Sequence, residues 1–362
     1  MIALAFAALV ACRHAPPPAE AVRAPIGESI APRDILLQGA DDLSPTVRGP
    51  ALAALIATEV DPAPWVRRGL VDPDPDVARL AAKAAASRGT LAPVTKWLSE
   101  GLGDPSVRGV AARLAGEAAR APIAATWKRD TDPWARLPMA LAAAHLDLPD
   151  ARNDVARSVS QGVIPWDQDL LADLGDVAWP ELIDALAQAT RTAEPDVALD
   201  LAVASLALGD TRGETVLRKA LTDPDPLVRL GVVDRTQHLP DPAGSVLLRR
   251  AIAEGPPTVA AIADIVLRAR SEDSRALPDA LAHDDSDVRA EAARAAGAIA
   301  RPNKTVVRAL VDALDDPEVT VRRHVAAACR SCPADDLRTR LADDDATVRI
   351  AAARTLLMGP AP

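Results

Sequence analysis

Apolar and polar positions along this chain follow two nested rhythms. The shorter one is helical. Behind a recurrent Val, apolar residues return at +4, +5 and +8, as Ala111, Ala112 and Ala115 do behind Val107 and Ala352, Ala353 and Leu356 behind Val348. The longer one is a repeat. DPDPDVARLAAKAAA (72–86), DPSVRGVAARLAGEAA (104–119) and DDSDVRAEAARAAGAIA (284–300) are versions of one segment. DPDPLVRLGVV (223–233), DPEVTVRRHVAAAC (316–329) and DDATVRIAAARTLL (344–357) continue it. Clear copies are marked by Val47, Val77, Val107, Val197, Val228, Val288, Val321 and Val348, and weaker ones by Trp134, Trp166 and Val259. Their mean spacing is about 30 residues, which makes some eleven copies over residues 34–358, degenerate around 120–185.

Each copy reads as two short helices. In Asp-Pro-x-Val the Asp carboxylate caps free amides and Pro suits the first helical position, as at Asp74-Pro75, Asp104-Pro105, Asp132-Pro133, Asp225-Pro226 and Asp316-Pro317. A second amphipathic segment precedes each turn, such as 93–102, 214–221, 245–253 or 304–314. Helices of about ten residues cannot bury their apolar faces alone, so copies must stack on one another. Composition agrees. Of the 362 residues, 49% are hydrophobic but only 2% aromatic, so the interior is Ala, Leu and Val packed at close range, and 32 Pro keep the helices short. The expected fold is all-α, an α-α superhelix of about eleven two-helix repeats. With helices 8–10 Å apart, its arc would run on the order of 100 Å. The last copy ends in Leu356-Leu357-Met358, so an apolar flank is expected to lie partly open there.

The pattern resembles the HEAT-like repeats first described in phycobilisome lyases, over about nine tenths of the chain. The resemblance implies that the second helix of each pair lines the concave side. It also implies a ladder of charge-assisted hydrogen bonds joining successive turns, made by the turn Asp (Asp74, Asp104, Asp225) and the Arg after the marker Val (Arg48, Arg108, Arg229, Arg289, Arg322, Arg349).

The N-terminus carries an address. Residues 1–11, MIALAFAALVA, form an uncharged apolar run too short to span a bilayer, and Leu9-Val10-Ala11-Cys12 resembles the lipobox of bacterial lipoproteins. That likeness implies cleavage before Cys12 and acylation of Cys12, with two or three chains giving a stable anchor. Residues 12–33, rich in Pro and Ala, read as a tether. Arg13 stands where Asp would mark inner-membrane retention, which favours the outer membrane on its periplasmic side.

Candidate chemistry is sparse. A net charge of −10 argues against nucleic acid, which calls for a positive face. On the inner helices, positions +2, +3 and +6 should be exposed, and Arg79, Lys83 and Arg113 early, then Arg294, Arg323 and Arg354 late, make a face that could hold an acidic protein segment. The six Trp cluster between residues 65 and 179, and Trp65, Trp97 and Trp127 recur at the repeat period, as buried filler or as an exposed strip. Cys329 and Cys332 form one Cys-x-x-Cys at a helix end, which reads as structural thiols or a disulfide. No Gly-x-Ser-x-Gly, phosphate-binding Gly-rich loop or His-Glu-x-x-His occurs, and no cofactor or metal is expected.

The reading is a non-enzymatic scaffolding lipoprotein that presents a concave face to an envelope protein. One alternative is a lyase-like accessory that handles a chromophore or cofactor in a pocket around Trp127, Trp134, His145 and Trp166. Another is a cytoplasmic adaptor, if the N-terminal run is no signal.

Overall fold

A computed structural model describes residues 30–101, 103–129, 131–161, 180–237, 239–299 and 302–359. The apolar run 1–11, Cys12, most of the tether, Trp166, Trp179 and the side chain of Trp134 lie outside the described residues. Every regular element among the described residues is helical.

The helices alternate as the turn signals dictate. First helices run from Pro32–Ala40, Ala63–Leu70 and Ala92–Glu100 through to Lys304–Ala313 and Ala334–Thr339. Second helices include Pro45–Thr58, Pro75–Arg88, Pro105–Ala115 and Pro133–His145, then Pro195–Ala207, Pro226–Thr236 and Pro257–Arg270, and finally Ser286–Ala298, Val319–Ala328 and Ala346–Met358. Caps set their starts. Asp74 Oδ1 accepts from the amides of Asp76 (2.9 Å) and Val77 (3.3 Å), and Asp104, Asp225, Asp285 and Asp345 repeat the arrangement. The copy at Val321 differs, because its helix starts after Glu318, which makes no side-chain cap.

Behind the caps, Val77, Val107, Val259, Val288, Val321 and Val348 are buried with the alanines of their stripes. Val197 and Val228 are only half-buried. Small residues set the helix spacing. A Cβ on Gly109 would lie 2.1 Å from Cβ of Pro138, and one on Gly69 would lie 2.4 Å from that of Ala81. In the degenerate stretch the sequence lacks a polar face, and the structure buries what cannot face water. Leu137 through Ala144 are all buried there, and outside that stretch Leu201 through Leu206 are buried as well.

Second helices pack closely on their counterparts from Pro45–Thr58 to Pro133–His145 and again from Pro257–Arg270 to Ala346–Met358, more closely than first helices pack on each other. The tighter row lies on the inside of the curve. Within the described residues from 32 to 359 the array does not end freely. Ala346–Met358, the last second helix, packs on both Pro32–Ala40 and Pro45–Thr58. Ile350 fills this seam against Gly39, where an added Cβ would lie 2.8 Å from Ile350 Cδ1 and 2.9 Å from the Ala51 Cβ. The arc expected from repeat counting is therefore one whose first and last pairs meet. The last flank is covered at Ile350, Ala352 and Ala353, while Leu357 and Met358 stay about 40% exposed.

Candidate functional site

The ladder belongs to the frame, and it runs in a different register from the one read in the sequence. Arg48 donates from Nε and Nη2 to the two carboxylate oxygens of Asp72 (2.7 and 2.9 Å) and from Nη1 to the carbonyls of Asp42 and Leu43 (2.8 and 3.1 Å). Arg289 does the same with Asp316 (2.7 and 3.1 Å), and Arg322 with Asp343 (2.9 and 3.1 Å). The rung carboxylate stands two residues before the helix cap, so Asp74, Asp104 and Asp225 cap helices while Asp72, Asp316 and Asp343 receive the arginines. Each of the three rung carboxylates is 7% exposed or less. The bond from Arg48 holds the Asp72 carboxyl below its usual range against the opposing effect of burial. Arg229 and Arg349 donate to carbonyls of their own turns, at Asp223 and at Asp343 and Asp344, and Arg108 reaches the Gly101 carbonyl.

Where the Val-Arg pair is missing, another ion pair does the joining. Arg136 Nε lies 2.6 Å from Asp154 Oδ2, and Asp154 is buried. Trp127, also buried, stacks under Lys128 and Arg136, at 4.9 and 5.5 Å from its ring centroid. Trp97 is buried in the same core and Trp65 packs against it. His145 turns Nδ1 to the Leu141 carbonyl. Trp127 and His145 are thus taken up by the stack rather than turned toward a shared pocket. Among the described residues no three His, Cys, Asp or Glu side chains group as metal ligands.

The six cations expected on the inner face divide into two sets. Arg79 bonds to Asp76, and Arg79, Lys83 and Arg113 are half-buried, each engaged within the protein. The late set stays open. Arg294, Arg323 and Arg354 are exposed on three successive inner helices. Arg294 is held by Glu291, at 2.8 Å from Nε. Arg323 and Arg354 have no carboxylate within ion-pair distance among the described residues.

Two residues the sequence reading did not assign to this face join it. His324, half-buried, is pushed toward neutrality by burial and then by Arg323 and Arg294, which places it between two copies. Arg330 lies near enough to Arg354 to disfavour its charge, after burial, the larger cause. Arg330 also donates to Met358 Sδ at 3.9 Å, and it sits in the turn closed by a Cys329–Cys332 disulfide, whose Cα atoms are 4.9 Å apart. His324 was findable at +3 from Val321. Arg330 was not, because the helix ends at Ala328 and its +9 position has no helical phase.

Residues 274–356, which hold the helices Ser286–Ala298 and Val319–Ala328 and most of Ala346–Met358, match the HEAT repeats family. No curated protein matches it. Similar solved structures include an engineered protein, 21% identical over 90% of this chain and 98% of that one, with a TM-score of 0.32. Another is human deoxyhypusine hydroxylase in complex with glycerol, 18% identical over 82% of this chain and 94% of that one, with a TM-score of 0.27.

Proposed function

We propose that this protein is a non-enzymatic scaffold of the bacterial envelope, anchored through an acylated Cys12 and presenting the inner helix face of its repeats to a protein partner. The anchor rests on Leu9-Val10-Ala11-Cys12 and the Pro/Ala stretch behind it. The observation that carries the binding reading is the late inner face. Successive helices there hold arginines exposed, whereas Arg48, Arg235, Arg289 and Arg322 end on carboxylates inside the fold. A solenoid offers extended surface rather than an enclosed cleft, which suits recognition. The partner is a protein and not a nucleic acid, since the chain as a whole is acidic.

Intact mass and membrane fractionation of the full chain in a bacterial host, beside Cys12→Ser, test the address. Acyl mass and membrane association in the wild type, both lost in the variant, are the expected result. Uncleaved soluble protein in both cases would overturn the anchor and leave an adaptor in the cytoplasm.

A further inference from the structure

The geometry points to an acidic, extended segment of the partner protein as the occupant of the late inner face, running across the helices Ser286–Ala298, Val319–Ala328 and Ala346–Met358 and held by Arg294, Arg323 and Arg354. This deepens the scaffold reading and rests on it.

Three observations support the assignment. The first is local charge. In a chain with 51 acidic and 41 basic residues, Arg294, Arg323, His324, Arg330 and Arg354 lie on or beside successive inner helices, with Glu291 as the one carboxylate bonded among them within the described residues and Asp234 as a more distant one. Like charges brought together raise the free energy of the unoccupied surface, and an anionic occupant would relieve it.

The second is concavity, since the three helices belong to the more closely packed inner row. Arg354 is open to water and yet protein on its flanks disfavours its charge. His324, half-buried, is affected in the same way. An anion laid in a groove would meet these cations at lower effective dielectric than on a flat surface.

The third is spacing. The three arginines stand on successive helices of one row, and packed helices lie about 8–10 Å apart. An extended chain in the polyproline II conformation advances about 3.1 Å per residue with three residues per turn, so every third residue recurs on one face at about 9 Å. Such a segment with Asp or Glu at every third position therefore matches one carboxylate to each helix. The overall negative charge of the chain works against nucleic acid.

The test uses the full chain and fluorescein-labelled peptides, one with Glu at every third residue and one of equal composition with its Glu residues in a block. Binding is read by fluorescence anisotropy at two salt concentrations. The spaced peptide should bind more tightly than the block peptide, and more weakly as salt rises. The Arg294→Gln/Arg323→Gln/Arg354→Gln variant should lose about tenfold in affinity, as three partly exposed ion pairs together allow. Arg308→Gln, on the exposed side of a first helix, should bind like the wild type. Circular dichroism and melting temperature verify that both variants are folded.

Equal affinity of wild type and triple variant would overturn the proposal, as would equal binding of the two peptides. A single-stranded oligonucleotide preferred over both peptides would overturn it in favour of a nucleic-acid surface. Photocrosslinking in cells from Ala327, exposed at +6 from Val321 on the middle helix, separates this from the broader reading. A defined envelope partner captured equally by wild type and triple variant would overturn the acidic-segment assignment and leave the scaffold standing. No partner captured by either would overturn both.

Discussion

At Arg289 one side chain serves two turns, with its Nε and Nη2 on Asp316 of the next copy and its Nη1 on carbonyls of its own. Replacing it with Met would leave the Asp316 carboxylate buried without its counter-charge. A loss of about 3 kcal/mol is expected, read as the urea midpoint, and Arg289→Met/Asp316→Leu should recover most of it. If the double variant is no better than the single, the rung is not where the cost lies. His324 gives a different kind of test. Burial, and then its arginine neighbours, lower its folded pKa below the ordinary histidine value of 6.5. The native state therefore binds fewer protons than the unfolded chain on the acid side, so this stability is present above the unfolded pKa and lost as pH falls through it toward the folded one. His324→Gln should flatten the decline of melting temperature just below pH 6.5, and an unchanged slope would refute this.

Between elements, the decisive atoms are the ones missing. Gly109 lets the helix Pro105–Ala115 lie against Pro138, with an added Cβ only 2.7 Å from the Pro138 carbonyl carbon as well. Backbone cannot step aside as a flexible side chain can. Gly109→Ala should cost about 2 kcal/mol, measured by chemical denaturation, through forced separation of two inner helices. How far this level could be read from the sequence depended on the signal. Most helix starts were legible, because a carboxylate three residues before the marker Val is placed to cap; Asp316-Pro317 was not one of them, since Asp316 takes a rung and the helix starts after Glu318. The rung register was not, because Asp72 and Asp74, or Asp223 and Asp225, occupy one turn and are alike in type. Only the direction of the incoming guanidinium separates cap from rung. The burial of Leu137–Ala144 was foreshadowed by the absence of a polar face, but what a wholly apolar helix packs against is a tertiary fact.

Across the array, the meeting of the first and last pairs changes what the ends need. Ile350 stands at +2 from Val348, a position where Arg79 and Arg323 carry charge, and it is apolar because Gly39 and Ala51 cover it. Ile350→Asp should part this seam. The expected outcome is a larger radius of gyration by small-angle scattering with helix content nearly unchanged. An unaltered radius would show that the seam tolerates the charge and that other contacts hold the ends together.

The sequence alone determined the all-α class, the two-helix repeat, most helix starts and the inner-face positions, since each follows from short-range periodicity, capping chemistry or the need of small apolar faces to stack. The same reading named Arg294, Arg323 and Arg354, because helical phase sets +2 and +6 off the buried stripe, although it does not decide which of those positions stay exposed. Only the tertiary structure decided that Arg79, Lys83 and Arg113 are drawn into the fold, that Asp72, Asp316 and Asp343 carry the rungs, and that the array's ends meet. Those outcomes depend on which atoms of distant copies arrive together, which small rotations between stacked copies settle and no single repeat encodes.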